Sequence, residues 1–255
     1  MFKVQMAVKR KPILLFCTLL ISFILWEAAS FLAGAAYFPH IWVVLADLAQ
    51  LVISVAFWNS LILTLLLTSI AFVVGVVCAS TIAIMVALNR SGELATRGVL
   101  NFVRSIPSVV FLPLLVASVG SSAKTAVLLA AFVVTFKLVT YIIRGIGETD
   151  PRLLDVAKVM NLSFFTKIWL VYLPSTIALA STGLRLSASR AFGTVVATGI
   201  IAGTPGLGLG LLTAETNANN PRLFSYVLVM GVVGVWIYRL FTTIENQLFR
   251  WRRSV

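Results

Sequence analysis

A single histidine, two cysteines and eight acidic residues among 255 leave little from which to assemble a metal centre, a redox pair or an acid–base constellation. His40 stands alone, so no histidine cluster with ligand spacing exists. Cys17 and Cys78 both lie inside apolar runs, where free cysteine behaves as a small hydrophobe. Serine and threonine are present, but without a partnered histidine or carboxylate pair a membrane-embedded enzyme lacks its nucleophile–base machinery. Charge is scarce as well: charged residues form 11% of the chain and hydrophobic ones 60%. A soluble domain carries ~25% and ~45–50% respectively, so that class is excluded.

What fills the chain instead is long apolar sequence, with a mean hydropathy of +1.04. Apolar runs fall at 13–34, 57–88, 99–119, 125–143, 184–203 and 223–243. About 20 residues suffice to cross a bilayer as helix, whereas barrel strands alternate over ~10. The expectation is therefore an all-α integral membrane protein, a single domain over 1–255 with about six transmembrane helices. The run at 99–119 is the weakest, because Arg104, Pro107 and Pro113 interrupt it; it either spans or re-enters. Residues 1–35 have a basic start and an Ala33-Gly34-Ala35 sequence, the marks of a signal peptide. The apolar run exceeds the ~7–15 residues of a signal core, so the first helix is expected to be retained.

Basic residues outnumber acidic ones by twenty to eight. Lys3, Lys9, Arg10 and Lys11 sit in a basic tail at 1–12, and Arg250, Arg252 and Arg253 in another at 244–255. Arg90, Arg97 and Arg104 mark one inner loop; Arg144, Arg152, Lys158 and Lys167 mark a second, at 144–174. Basic residues near span ends are retained on the cytoplasmic side, which places both termini and the 144–174 loop there. Keeping 99–119 as a span is what leaves that loop inside. Because the basic residues are dispersed over loops, the charge argues for topology and against nucleic-acid binding.

The 144–174 loop has its own local chemistry. Asp150 before Pro151 reads as a helix N-cap and first helical residue. Asn161 suits the left-handed backbone that ends many helices. Ser163 can cap a second short helix carrying Phe164, Phe165, Ile168 and Trp169, expected to stop before Pro174. On the first helix Leu153, Val156, Ala157 and Met160 share a face, flanked by Arg152, Asp155 and Lys158. Two Gly-rich stretches do not bind nucleotide: Gly120–Thr125 lacks the glycine directly before its lysine, and Gly206–Gly210 lacks a preceding strand, reading instead as an outer hairpin or re-entrant turn.

Asp155-Val156-Ala157, three residues, Asn161, nine residues, Val171, Tyr172 and Leu173-Pro174 resemble the cytoplasmic loop motif of ATP-driven (ABC) importer permeases. There the frame is Glu-Ala-Ala, three residues, Gly, nine residues, Ile, one residue, Leu-Pro. The register is complete, with Asp155, Val156 and Asn161 in place of the family's Glu, Ala and Gly. Trp26-Glu27, Phe38-Pro39, Arg104 to Pro107, Phe111 to Pro113, Gly183 to Arg185 and Gly206 to Gly208 follow in order. Together they look like the nitrate, sulfonate, taurine and bicarbonate group of importer permeases.

The resemblance implies a bacterial inner-membrane permease. It implies a partner pair of cytoplasmic ATPase subunits that hold ATP and Mg, an extracytoplasmic solute-binding protein and a second permease copy. No cofactor is expected in this chain. Asp155, Val156, Ala157, Asn161, Leu173 and Pro174 would couple the ATPases to the membrane helices. The implied solute is a small anion such as a sulfonate, taurine, nitrate or bicarbonate, or a thiamine-pyrimidine-like precursor.

Charges at membrane depth cost ~2.5–3.5 kcal/mol each at a helix centre and so are candidates for the pathway. Lys137 either lines it or snorkels towards the inner headgroups. A helix is expected to begin near Gly183, placing Arg185 and Arg190 in the cytoplasmic half of the fifth span. There they contact solute or pair with Asp155 or helix-end carbonyls. Glu27 is an interhelical hydrogen-bond partner or a pathway residue. A gradient-driven multispan transporter or a membrane scaffold is the alternative; the former ordinarily has midplane carboxylates or broken helices.

Overall fold

A computed structural model of the chain describes residues 2–88, 98–103 and 105–248. Its helices are α1 (Phe2–Ala33), α2 (Ile41–Ile53), α3 (Val55–Leu88), α4 (98–103), α5 (Leu112–Val119), α6 (Ala123–Gly147), α7 (Pro151–Val159), α8 (Phe164–Lys167), α9 (Leu173–Ala202), α10 (Leu207–Thr216) and α11 (Asn220–Leu248). A 3-10 turn, Ser108–Phe111, precedes α5, and a π turn, Ile168–Tyr172, joins α8 to α9. Among the described residues there is no strand. Arg90, Arg97, Arg104, Arg250, Arg252 and Arg253, and the side chains of the first basic tail, lie outside what is described; the backbone of that tail is already helical from Phe2.

Five helical stretches are long and apolar enough to cross a membrane: Phe16–Ala33, Val55–Val86, Ala123–Gly147, Phe164–Thr216 and Asn220–Gln247. The expected span at 99–119 is not one helix. It breaks at Ile106-Pro107 into α4 and the run from Ser108 to Val119, because proline lacks the N–H needed to continue the ladder.

The broken segment nevertheless runs the length of the bundle. Leu67 and Ala71 of α3 pack with Ala126 and Ala130 of α6, while Ala83 and Val86 pack with Val139 and Ile143. The two helices are therefore parallel, and the chain between them must return from one end of the bundle to the other. Leu100 shares the cluster of Val86 and Ile143. The Phe111 ring lies 5.0 Å from that of Phe132, and Gly120, at φ 79°, turns the chain into α6. The order 100, 111, 120 against 143, 132, 123 is a full traverse, so six crossings result from five unbroken helices and one broken one.

α9 runs antiparallel to α6 at close range. An added Cβ on Gly145 would lie 2.7 Å from Thr176, and one on Gly183 2.7 Å from Tyr141, so these glycines let the two backbones approach as small residues do at membrane helix interfaces. α11 packs antiparallel on α9, with Ile237 against Ala188 and Phe192. Between them the turn from Gly203 (φ 64°) to Gly206 (φ 135°) folds α10 back until Gly208 meets Gly199. Of the Gly-rich stretch expected to form a turn, only Gly206 lies in it; Gly208 and Gly210 are helical, and Gly208 serves the close approach to α9 instead. At the same end, Trp26 of α1 donates to Pro39 O (3.1 Å) and packs with Phe38 and Phe224.

α9 corrects two expectations. It begins at Leu173, not near Gly183, and the second loop helix does not stop before Pro174. A proline ring clashes with the carbonyl four residues back in a tight α-turn; the wider π turn at Ile168–Tyr172 opens that spacing and the chain stays helical through it. The Ser175 hydroxyl donates to Val171 O at 2.8 Å, occupying a carbonyl in the altered turn.

Candidate functional site

Among the described residues, two places bear on the candidate residues: the loop between α6 and α9 at one end of the bundle, and a cavity along α9. In the loop, the Asp150 carboxylate accepts from Arg152 N (2.9 Å), and Pro151 occupies the first helical position. α7 closes on Asn161, whose φ of 48° is left-handed. Leu162 N donates to Ala157 O (3.1 Å) and Asn161 N to Lys158 O (3.0 Å), the paired bonds of a Schellman C-cap. Ser163 then accepts from Thr166 N (3.3 Å) and opens α8.

Ala157 is 2% exposed, whereas Leu153, Val156 and Met160 are 48%, 54% and 65% exposed, so the shared face of α7 is seated at Ala157 alone. Phe165, Trp169 and Leu170 add further exposed apolar surface. Asp155 lies 3.1 Å from Lys158 with both side chains largely solvated. The result is a rigid, capped pair of short helices bearing apolar side chains and a carboxylate outward. Through the π turn that pair is continuous with α9, a 30-residue helix packed on α6.

The cavity, about 550 Å³, is lined by Ser108 and Val109 beside the Pro107 break, Leu129 of α6, Arg190, Thr194 and neighbours on α9, and Tyr238 of α11. Arg190 is exposed there, and no carboxylate lines the cavity.

The other charged candidates lie elsewhere. Arg185 pairs with Glu245 of α11 (3.1 Å), not with Asp155, and its guanidinium stacks 5.3 Å from the centre of the Tyr238 ring. Glu245 also accepts from Ser181 (3.0 Å). Lys137, half-buried, sits over the Tyr141 ring at 5.6 Å. Glu27 accepts from Ile41 N (2.9 Å) and meets His40 Nδ1 at 2.8 Å, fastening α1 to the start of α2. None of these three lines the cavity. Glu245, Tyr238 and Ser108 escaped sequence reasoning; the only signal for Glu245 was a lone carboxylate near the end of an apolar run.

Residues 71–250 match the family model described as the binding-protein-dependent transport system inner membrane component. The chain belongs to that family. It is thus a multi-pass permease component of an ABC transporter.

Similar permeases include one for formylaminopyrimidine in Halalkalibacterium halodurans, 22% identical over 96% of each chain. An aliphatic sulfonate permease of Bacillus subtilis is 23% identical over 80% of this chain and 74% of its own. The taurine permease of Escherichia coli is 21% identical over 78% and 72%. A solved amino acid ABC transporter superposes with a TM-score of 0.62 at 19% identity, covering 75% of this permease and 94% of that chain, and so shares its fold.

Proposed function

We propose that this permease imports a small anionic solute, and that the α7–α8 loop couples it to ATP hydrolysis on separate cytoplasmic ATPase subunits. The observation that carries the reading is the capped two-helix loop, which presents Asp155, Val156 and the side chains around them outward while Ala157 and the Asn161 turn hold it rigid. Its continuity with α9 through Leu173 and Pro174 supplies the lever. A ligand shifts a two-state equilibrium only through its difference in affinity for the two forms. ATP and Mg on the ATPase pair would supply that difference, and rigid-body rocking of two permease copies would alternate access.

This chain is expected to hold no cofactor or catalytic group of its own. A second permease copy and an extracytoplasmic solute-binding protein complete the assembly, with both termini and the coupling loop in the cytoplasm of a bacterial cell. The solute class follows the sulfonate and taurine relatives, and the exposed Arg190 beside a cavity without carboxylates is compatible with it. Co-purification of an ATPase and a binding protein with tagged permease from its native membranes tests the reading. A folded permease that recovers neither would overturn the proposed assembly and coupling.

A further inference from the structure

We infer that the permease itself carries an anion site in the α9 cavity, built from Arg190, Ser108 and Tyr238 and suited to a small sulfonate, carboxylate or other oxyanion head group. The inference rests on the proposed importer reading for its purpose, not for its geometry.

The donors can be counted. The Ser189 hydroxyl is given to Arg185 O (3.4 Å), that of Thr194 to Arg190 O (2.8 Å) and that of Thr198 to Val195 O (2.7 Å), so none of the three is available. Among the described residues the Arg190 guanidinium, the Ser108 hydroxyl and the Tyr238 hydroxyl have no such partner, and all three border the same 550 Å³ space. A guanidinium offers five N–H groups in a planar fork that matches an oxyanion. The absence of any lining carboxylate leaves the cavity with one sign of charge, and such clefts concentrate counter-ions. Arg185 takes part as a positioning residue: held by Glu245, it stacks on the Tyr238 ring and fixes where that hydroxyl sits.

The cavity also lies against the break in the chain at Pro107. Irregular backbone at membrane depth survives only where protein or water covers it, and the Ile106-Pro107 break opens beside Ser108. The site lies where the broken third crossing meets α9, about 17 residues or ~26 Å along α9 from the coupling end.

The test uses a Ser108→Cys permease in which Cys17 and Cys78 are serine, labelled in its native membranes with methanethiosulfonates bearing a sulfonate or a trimethylammonium. Rates are scaled to those of a free thiol. The expected result is a preference for the anionic reagent that falls about tenfold in Arg190→Gln and is retained in Arg190→Lys. Added methanesulfonate should slow labelling relative to a sodium salt control of equal ionic strength with a bulky excluded anion. Labelling without charge preference, a preference indifferent to Arg190→Gln, or failure of either reagent to reach Cys at 108 in folded protein would overturn the site. Because labelling needs no ATPase, failure of the importer reading would show separately, as loss of ATPase co-purification with the charge preference intact.

Discussion

Leu162 donates its backbone N–H to the carbonyl of Ala157 across 3.1 Å, and with the bond from Asn161 N to Lys158 O it sets the turn between the two helices of the loop. It forms only because the residue between them, Asn161, adopts a left-handed φ of 48°. For ordinary L-residues that conformation costs ~1–2 kcal/mol, with asparagine and glycine the tolerant cases. Asn161→Gly should leave thermal stability and ATPase recruitment unchanged, whereas Asn161→Val should lower stability by about 1 kcal/mol and weaken recruitment. Paired melting and co-purification measurements check both.

Asp155 and Lys158 form an exposed pair at 3.1 Å, worth at most ~1 kcal/mol to the fold. Asp155→Lys should therefore keep the permease folded, shown by an unchanged melting profile, while reversing charge on the docking helix. ATPase association measured by pull-down should drop at least tenfold.

Arg185 and Glu245, each about a fifth exposed, are the one ion pair that joins α9 to α11 among the described residues. Removing one partner of a buried pair leaves an uncompensated charge and costs about 3 kcal/mol or more. Glu245→Leu should lower the detergent melting temperature strongly, and Arg185→Met with Glu245→Leu should recover most of the loss. A double-mutant cycle in thermal denaturation reads the coupling.

Gly199 and Gly208 bring the α9 and α10 backbones together so closely that a Cβ on Gly208 would sit 2.8 Å from the Gly199 Cα. Backbone cannot rotate aside as a side chain can. Gly208→Ala is expected to abolish folded expression, read as loss of the monodisperse peak in size-exclusion chromatography, whereas Gly193→Ala, with open space around it, should be tolerated.

Local chemistry was the readable part. Asp150, Asn161 and Ser163 reveal their roles in sequence because each acts on backbone within three or four residues, and composition alone established the bilayer as solvent. Relationships across the chain were not readable. Arg185 was expected to meet Asp155 or a helix end, yet it meets Glu245, sixty residues away, because α11 returns antiparallel to α9. α2 was missed since 13 apolar residues are too short for a span and the Phe38-Pro39 turn hides its start. Pro174 suggested a stop, but a π turn accommodated it, a choice made by the packing of α9 on α6. The break at Ile106-Pro107 was visible from proline, and the basic loops argued that the segment still crosses; the parallel packing of α3 and α6 gives that crossing its geometry.

The central claim is that the loop from Asp150 to Pro174 hands ATPase closure to the membrane helices. A mild-detergent pull-down of tagged permease from native membranes, with partner identification and an ATPase assay on wild type and Asp155→Lys, tests it most directly. The account predicts an ATPase subunit and ATP hydrolysis with wild type and loss of both with the variant. A folded wild-type permease without ATPase, or a variant that recruits it as well as wild type, would contradict the account.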